Sequence, residues 1–366
     1  MGERLAERRT YDTLNGIRGI AALCVAIFHT NAAFWPATAR SGFLAVDVFF
    51  VLSGFVLASS YGERLTTGQL APIGFMRARL VRFYPLYIAG LALGVIQALA
   101  QQAVHSQNAM PSATLGVAMV SALLFLPVGI ASLGSLTPLN PPAWSLLFEF
   151  WINAGWAPLA KRFGRTMEVA VLLISGALFV DISLRSGTMA LGSDWSTALG
   201  GLARAVFSFA AGLLLYRARG VLPTIETRWS LLILAAVVAL LFTAPGNALA
   251  YDLGVALVAS PSLIFAGSRI NPPASIRPLF SFLGMISFPL YAIHEPLLLL
   301  WAHVVRAGDI TPATAGLSFF AALIALAWLA HHADEWVRAD RRRYFWVMSS
   351  FLTRPWRGFS ARRRLK

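Results

Sequence analysis

Two ionisable residues, Arg18 and His29, lie at the two ends of an apolar run that could cross a bilayer. They are eleven residues apart, which on an α-helix ends about 20° past three full turns, so both side chains lie on one face. At 1.5 Å per residue they are separated by about 16.5 Å along the helix axis. Ionisable groups inside a span usually face a bundle interior or a water-filled cavity. Histidine is also the residue type most often used for proton transfer at physiological pH, so His29 is a candidate general acid or base.

Each residue also has a purely structural explanation. Arg18 can snorkel to the cytoplasmic headgroups, and His29 can hydrogen-bond a neighbouring helix. The structural explanation is weaker for His29, because a titratable group deep in a span is costly.

Other polar residues fall at the depth of His29 when the later spans are aligned by length: Asp47, Glu149, His294 and Glu295. Two histidines with carboxylates can form a general-base site or bind a metal ion. Paired-ligand spacing such as H-E-x-x-H does not occur in the sequence, so we predict no metal.

A cationic cluster precedes the third span, in "FMRARLVRFYPLY", which contains Arg77, Arg79 and Arg82. Arginines are common on cytoplasmic loops, and this alone explains at least one of them. Arg18 and Asn15 lie at a similar depth, and arginine binds phosphate through paired donors. The cluster therefore indicates a phosphate-bearing donor entering from the cytosol.

The elements that position these residues are membrane helices. The chain of 366 residues is 57% hydrophobic and 13% charged, and its mean hydropathy is +0.67. This balance excludes an ordinary soluble domain. The net charge of +14 follows the positive-inside bias of membrane proteins, so we expect no nucleic-acid partner. The single Cys24 excludes an intramolecular disulfide.

Hydropathy predicts an all-α polytopic membrane protein of about ten transmembrane helices. Both termini are basic, which favours a cytoplasmic location for both and an even number of crossings. The segment 115–131 contains Pro127 and Gly129 and is predicted to be re-entrant or interfacial. The eleven apolar segments lie near residues 14–34, 43–60, 83–102, 115–131, 143–160, 168–184, 197–216, 229–243, 248–266, 279–302 and 313–333.

Residues 1–340 are predicted to form one transmembrane domain, and residues 341–366 a basic cytoplasmic tail that can bind anionic lipid. Arginine outnumbers lysine 28 to 2, as is common in GC-rich genomes, which points to a bacterial cytoplasmic membrane. The remaining histidines are interpreted as interfacial or structural: His105, His303, His331 and His332.

Five sequence blocks together resemble the acyltransferase-3 family of membrane acyltransferases, which modify cell-surface sugars. They extend in order from residue 14 to about 300, and each is weak alone. The first carries the family's R-x10-H pairing as Arg18 and His29. The blocks are "LNGIRGIAALCVAIFH", "GFLAVDVFFVLSGFVL" with Asp47, "RLVRFYPLY" with Arg79 and Arg82, "PPAWSLLFEFW" with Trp144, Ser145 and Glu149, and "LGMISFPLYAIHEPLL" with Tyr291 and His294.

The resemblance implies an acyl-CoA donor, acetyl-CoA in the simplest case, bound from the cytoplasm as a co-substrate with no bound cofactor. It implies transfer to a carbohydrate or glycolipid hydroxyl in a lipid environment. Arg18 and His29 are then the essential pair, and Arg79 and Arg82 handle the donor. Many relatives follow the Trp-Ser-Leu block with Glu-Gln-Phe-Tyr, whereas "FWIN" follows Glu149 here, so acceptor preference is expected to differ.

In physical terms, Arg18, Arg79 and Arg82, with Asn15 at their depth, would hold the CoA phosphates. His29 would act as general base, oriented by Asp47 or Glu149, or would carry the acyl group covalently. Oxyanion donors and substrate contacts are expected from Trp144, Ser145, Tyr291 and His294.

Two other functions fit the same composition. One is a proton-coupled transporter or flippase of a glycolipid or acylated substrate, with the histidines and carboxylates as a proton relay. The other is a non-catalytic subunit of a polysaccharide machine. Polysaccharide-biosynthesis proteins are candidate partners in either case.

Overall fold

The computed structural model describes residues 11–34, 38–107, 109–130, 133–162, 164–220, 224–307 and 311–352. Among these residues the fold is all-α, apart from two strands of two residues each, β1 (Ile225–Glu226) and β2 (Ile270–Asn271), which pair in parallel. The helices are α1 (Asp12–Phe34), α2 (Ala45–Leu57), α3 (Glu63–Thr66), α4 (Pro72–Ala103), α5 (Ser112–Leu123), α6 (Trp144–Leu159), α7 (Arg165–Ser186), α8 (Ala198–Arg219), α9 (Trp229–Phe242), α10 (Ala248–Gly254), α11 (Ser260–Arg269), α12 (Arg277–Ala307) and α13 (Pro312–Leu352).

Eight helical segments among the described residues are long and apolar enough to cross a bilayer. Two of them join shorter helices through π-helical turns, α2 to α3 at Ala58–Gly62 and α10 to α11 at Val255–Ala259. This confirms the predicted polytopic helical membrane protein. The count by length and composition is eight where about ten were predicted. Helix α9 has 14 residues, short of the roughly 20 that a span needs, and α6, with 16 residues, is also outside the eight.

The predicted re-entrant segment 115–131 is only partly helical. Helix α5 ends at Leu123, and Phe125 has a positive φ of 52°. The chain then runs without helix, and the backbone N–H of Val128 donates to the Leu136 carbonyl oxygen. Irregular backbone at this depth is tolerated where it is packed against protein. Trp151 supports it by donating from Nε1 to the Phe125 carbonyl oxygen.

Helices α1 and α12 pack closely in the centre of the bundle. A Cβ atom at Gly19 would lie 2.5 Å from the backbone oxygen of Leu283, so only glycine permits this approach. A second close crossing joins α2 to α8, where a Cβ at Gly54 would lie 2.1 Å from the Phe209 oxygen. These two crossings determine which polar side chains meet in the interior.

Helix α13 continues to Leu352 without a break at residues 340–341, the predicted boundary between domain and tail. Residues 353–366 of that predicted tail lie outside the described part of the chain.

Candidate active site

His29 contacts two consecutive residues of α12. Its Nδ1 lies 3.1 Å from Nε2 of His294, and its Nε2 lies 3.4 Å from Oε2 of Glu295. The side chain of His29 is 26% exposed, whereas His294 is buried. The predicted shared depth of His29, His294 and Glu295 therefore corresponds to direct contact.

Backbone carbonyls determine the proton positions in this cluster. Nδ1 of His294 lies 2.8 Å from the Tyr291 carbonyl oxygen, which can only accept, so this nitrogen donates. In the neutral ring, Nε2 of His294 is then an acceptor. Nδ1 of His29 must donate to it, and it also lies 3.1 Å from the Val25 carbonyl oxygen. Nε2 of His29 is therefore left with a free lone pair that faces Glu295.

The same three side chains have ligand atoms within 4.8 Å of one another and are of a type that binds zinc. Their arrangement fits a hydrogen-bonded relay better than a metal centre. His294 and Glu295 approach opposite nitrogens of the His29 ring, whereas ligands of one ion converge on a common point. The absence of a metal from the site stays a prediction.

Arg18 is held against α12 at the other end of the same helix face. Its Nε donates to the Ser287 hydroxyl and its Nη2 to the Gly284 carbonyl oxygen, both at 2.7 Å. The predicted common face of Arg18 and His29 is thus the face that α1 presents to α12.

Arg18 separates two cavities. The wide cavity has a volume of about 710 Å³, and its polar lining residues are Asn15, Arg18, Arg82, Ser281, His331, Glu335 and Arg338. The middle cavity, of about 100 Å³, is lined by Arg18 and Arg82 again, by Phe49, Phe50 and Phe83, and by the polar side chains Ser53, Arg79, Ser145, Glu149 and Tyr291. Phe288 lines both cavities as well, so the wide and middle cavities adjoin at Arg18, Arg82 and Phe288.

Arg79 and Glu149 form an ion pair in the wall of the middle cavity. Nη2 of Arg79 lies 2.8 Å from Oε1 of Glu149, which also accepts from the Ser53 hydroxyl at 2.5 Å. The Arg79 guanidinium lies 4.2 Å from the Phe83 ring centre. Arg79 is therefore neutralised inside the bundle, while Arg18 and Arg82 line the wide cavity.

A third cavity, of about 170 Å³, lies against His29, and we call it the histidine cavity. Tyr291 lines both it and the middle cavity. The Tyr291 hydroxyl lies 2.6 Å from the Ser145 hydroxyl and donates to the Pro142 carbonyl oxygen at 2.8 Å. These two hydroxyls form the partition between the middle cavity and His29.

The expectation that Asp47 or Glu149 orients His29 is not met. Asp47 is fully buried and receives two hydrogen bonds from Arg204, at 2.7 and 2.6 Å, and Glu149 is paired with Arg79. Counting residues along a span gives depth but not direction around the bundle. His294 and Glu295 take the orienting position instead.

The sequence model of the family described as "Acyltransferase domain" matches residues 11–332, most of the chain and every residue of the three cavities except Glu335 and Arg338. The chain belongs to the acyltransferase-3 family. The resemblance in the five sequence blocks is confirmed by this match.

Three curated proteins show how far this acyltransferase chain resembles known ones. "Protein 2 in picA locus" of Rhizobium radiobacter is 38% identical over 175 residues, which are 46% of this chain and 91% of that protein. Peptidoglycan O-acetyltransferase OatA of Listeria monocytogenes is 23% identical over 326 residues, 82% of this chain and 51% of that protein. O-acetyltransferase OatA of Staphylococcus aureus is 33% identical over 84 residues, 23% of this chain and 13% of that protein. No solved structure matches the chain.

The chain thus spans about half the length of the Listeria enzyme and a smaller part of the Staphylococcus one. The match with this family assigns the described helices to a membrane acyltransferase domain.

Three residues of the candidate site lay outside the predicted set. His331 was interpreted as interfacial, yet it lines the wide cavity with Arg338 from the next turns of α13. Arg338 is paired there with Asp334. Glu295 was predicted at the depth of His29 but was not named as a catalytic or binding residue. Its position directly after His294 in a helix that packs on α1 was the signal available in the sequence.

Trp144 lies in the histidine cavity and packs edge-on against Phe50 and Phe148. Among the histidines interpreted as structural, His303 contacts its own helix through the Leu299 carbonyl oxygen, and His332 lies against Trp328.

Proposed function

We propose that this protein is an integral-membrane O-acyltransferase that moves an acyl group, acetyl in the simplest case, from acyl-CoA to a hydroxyl of a cell-surface or exported carbohydrate. The observation that carries the proposal is the row of three adjoining cavities along the α1 face that bears Arg18 and His29. The names of two relatives, both O-acetyltransferases, support the type of acyl group and acceptor atom.

The wide cavity is the proposed entrance for acyl-CoA. Arg18 and Arg82 line it together with Asn15, and guanidinium groups suit phosphate. The proposed topology has both termini and this cavity on the cytoplasmic side of a bacterial inner membrane, where acyl-CoA is made. The pantetheine arm would then extend through the apolar middle cavity towards His29.

The proposed chemical step is a direct transfer. Nε2 of His29 takes the proton of the acceptor hydroxyl as its oxygen attacks the thioester carbonyl carbon. The new C–O bond forms, the C–S bond breaks, and the CoA thiolate receives the proton from the His29 imidazolium. Oε2 of Glu295 is buried without a hydrogen-bond partner among the described residues, so it is placed to stabilise that imidazolium.

The hydroxyls of Ser145 and Tyr291, which stand between the middle cavity and His29, are the proposed donors to the tetrahedral oxyanion. Each has a single O–H, so a hydroxyl that donates to the oxyanion has to turn away from its present acceptor in this cluster. In the variant with a covalent acyl-histidine, the same nitrogen of His29 attacks the thioester carbonyl carbon, and the C–S bond breaks to release the CoA thiolate. The acceptor oxygen then attacks the acyl carbon, the C–N bond breaks, and the hydroxyl proton passes through the freed imidazole to the thiolate. The carbohydrate acceptor, lipid surroundings and polysaccharide-biosynthesis partners remain part of this proposal.

Purified protein in nanodiscs, supplied with acetyl-CoA labelled in the acetyl group, tests the proposal. We expect CoA release and transfer of label to a pool of bacterial glycans. His29→Ala should abolish turnover and Arg18→Ala should weaken acetyl-CoA binding, whereas the matched controls His303→Ala and Arg185→Ala, both away from the cavities, should behave as wild type. Failure to bind acetyl-CoA would reject the proposal. Movement of a glycolipid across the bilayer without thioester cleavage would replace it with the transporter hypothesis.

A further inference from the structure

The histidine cavity has a wall formed by a loop, residues 189–193, between α7 and α8. Ala190, Leu191 and Ser193 line the cavity. Ala190 is exposed, so the loop also forms the cavity mouth.

The buried guanidinium of Arg204 fixes this wall. Its Nη1 donates to the carbonyl oxygens of Met189 and Leu191, at 3.1 and 3.5 Å, and its Nη2 donates to that of Phe43 at 3.1 Å. Nε and Nη2 also donate to Asp47. A guanidinium has five N–H groups, and these five bonds use all of them. Arg204 is therefore a positioning residue, with its charge balanced by Asp47 and with no donor left for a ligand.

Trp144 lies against the same loop. Gly192 has a φ of +120°, and a Cβ at this position would lie 2.4 Å from the Trp144 ring. The indole is also fixed by its edge-on contacts with Phe50 and Phe148. The aromatic wall of the cavity is thus rigid, which lowers the entropy cost of binding a ligand against it.

The chemistry of the lining restricts the ligand. Phe28, Phe43 and Trp144 supply aromatic surface, and His29 and Ser193 supply hydrogen-bonding groups. Arg204, the one guanidinium among the described lining residues, is already paired with Asp47, so an anionic ligand would lose its hydration without gaining an arginine partner. A volume of about 170 Å³ equals that of roughly six waters at ~30 Å³ each. The cavity suits one small neutral ring with an apolar face and a hydroxyl edge.

We infer that the histidine cavity binds a single uncharged sugar ring of the acceptor, with an apolar ring face against Trp144 and a hydroxyl towards His29. The remaining rings of a longer bound glycan extend out of the cavity past Ala190. This inference rests on the proposed function and adds to it the charge and size of the group that is acylated.

The first test is photoaffinity labelling of the full-length protein in nanodiscs with a diazirine derivative of methyl β-glucoside. We expect the label in peptides that contain residues 141–145 or 189–193. Excess methyl β-glucoside should compete, and methyl β-glucuronide, which differs by its carboxylate, should compete at least tenfold less well. Label elsewhere, label that is not competed, or equal competition by both glycosides overturns the inference.

The second test blocks the cavity mouth. Ala190→Trp should reduce competed labelling at least tenfold, whereas Ala190→Ser and the exposed control Ser196→Trp should not. The binding of acetyl-CoA in the wide cavity should be unchanged in all three variants, which shows that each is folded, and the rate of acyl transfer should be unchanged in Ser196→Trp, which lines none of the three cavities. If wild-type protein turns over acetyl-CoA but labelling is unchanged in Ala190→Trp, the inference about the cavity is overturned and the proposed function is not. If wild-type protein does not bind acetyl-CoA, the proposed function itself fails.

Discussion

Nε2 of His294 lies 3.1 Å from Nδ1 of His29, across 265 positions of sequence. The Tyr291 carbonyl oxygen sets the proton on His294, and His294 in turn sets the proton on His29. One backbone carbonyl of α12 thus determines which nitrogen of a residue on α1 is free to act as a base.

Replacing His294 with phenylalanine tests this dependence. The variant keeps an aromatic ring in a buried position but removes the acceptor for Nδ1 of His29. We expect kcat to fall by roughly tenfold or more, less than the 10²- to 10⁴-fold typical of losing a general base. The dissociation constant for acetyl-CoA should be unchanged. His294→Gln, which can accept the same hydrogen bond, should recover part of the rate, and equal losses in both variants would contradict the relay.

Glu295→Gln should lower kcat without altering acetyl-CoA binding. The amide keeps the size of the side chain but removes the negative charge that faces Nε2 of His29. A neutral group stabilises the imidazolium less, so the proton transfer becomes less favourable. Glu63→Gln is the matched control, because this glutamate is exposed and lines none of the three cavities. Rates measured with labelled acetyl-CoA check the prediction, and an unimpaired Glu295→Gln enzyme would exclude a role for that charge.

Chelators should leave turnover intact. His29, His294 and Glu295 are residue types that commonly bind zinc. The hydrogen bond between the two imidazoles, however, occupies a ring nitrogen that a metal ion would need as a ligand. Dialysis against EDTA, followed by metal analysis and an activity assay, checks this. Stoichiometric zinc, with activity lost on removal and restored on addition, would identify a metal enzyme instead.

Arg82→Gln should weaken acetyl-CoA binding by about tenfold, or ~1.4 kcal/mol, if its guanidinium meets a phosphate. Acetyl-pantetheine, which lacks the nucleotide phosphates, should bind the wild type and the variant alike. Titration of both ligands into protein in nanodiscs measures the difference. An equal loss for the two ligands would indicate a general structural defect rather than a lost phosphate contact.

The sequence predicted the part of the site that depends on one helix and on depth. The 3.6-residue period placed Arg18 and His29 on one face, and counting along the late span placed His294 at the depth of His29. The partners of Asp47 and Glu149 depend on how α2 crosses α8 and α4 faces α6, which hydropathy does not encode. The position of His331 near a span end is visible in sequence, but its orientation into the wide cavity is not, for the same reason.

Variants of the buried ion pair between Asp47 and Arg204 can show whether Asp47 acts in the chemical step or only positions other residues. Arg204→Ala leaves the Asp47 charge uncompensated in a fully buried site and should cost about 3–5 kcal/mol of stability. Replacing both with apolar residues, Asp47→Leu with Arg204→Met, should recover most of that loss, because a buried ion pair is often no more stable than hydrophobic residues of similar volume. Thermal unfolding in detergent measures both effects.

Activity of the double variant then decides the role of Asp47. Suppose that the pair only fixes Phe43 and the 189–193 loop. The double variant should then bind acetyl-CoA normally and still release CoA from it. Its KM for the carbohydrate acceptor should rise by a larger factor than its kcat falls. That split is expected because the wall of the histidine cavity, and not His29, has lost its support. A stably folded double variant that cannot release CoA at all would assign Asp47 to the chemical step itself.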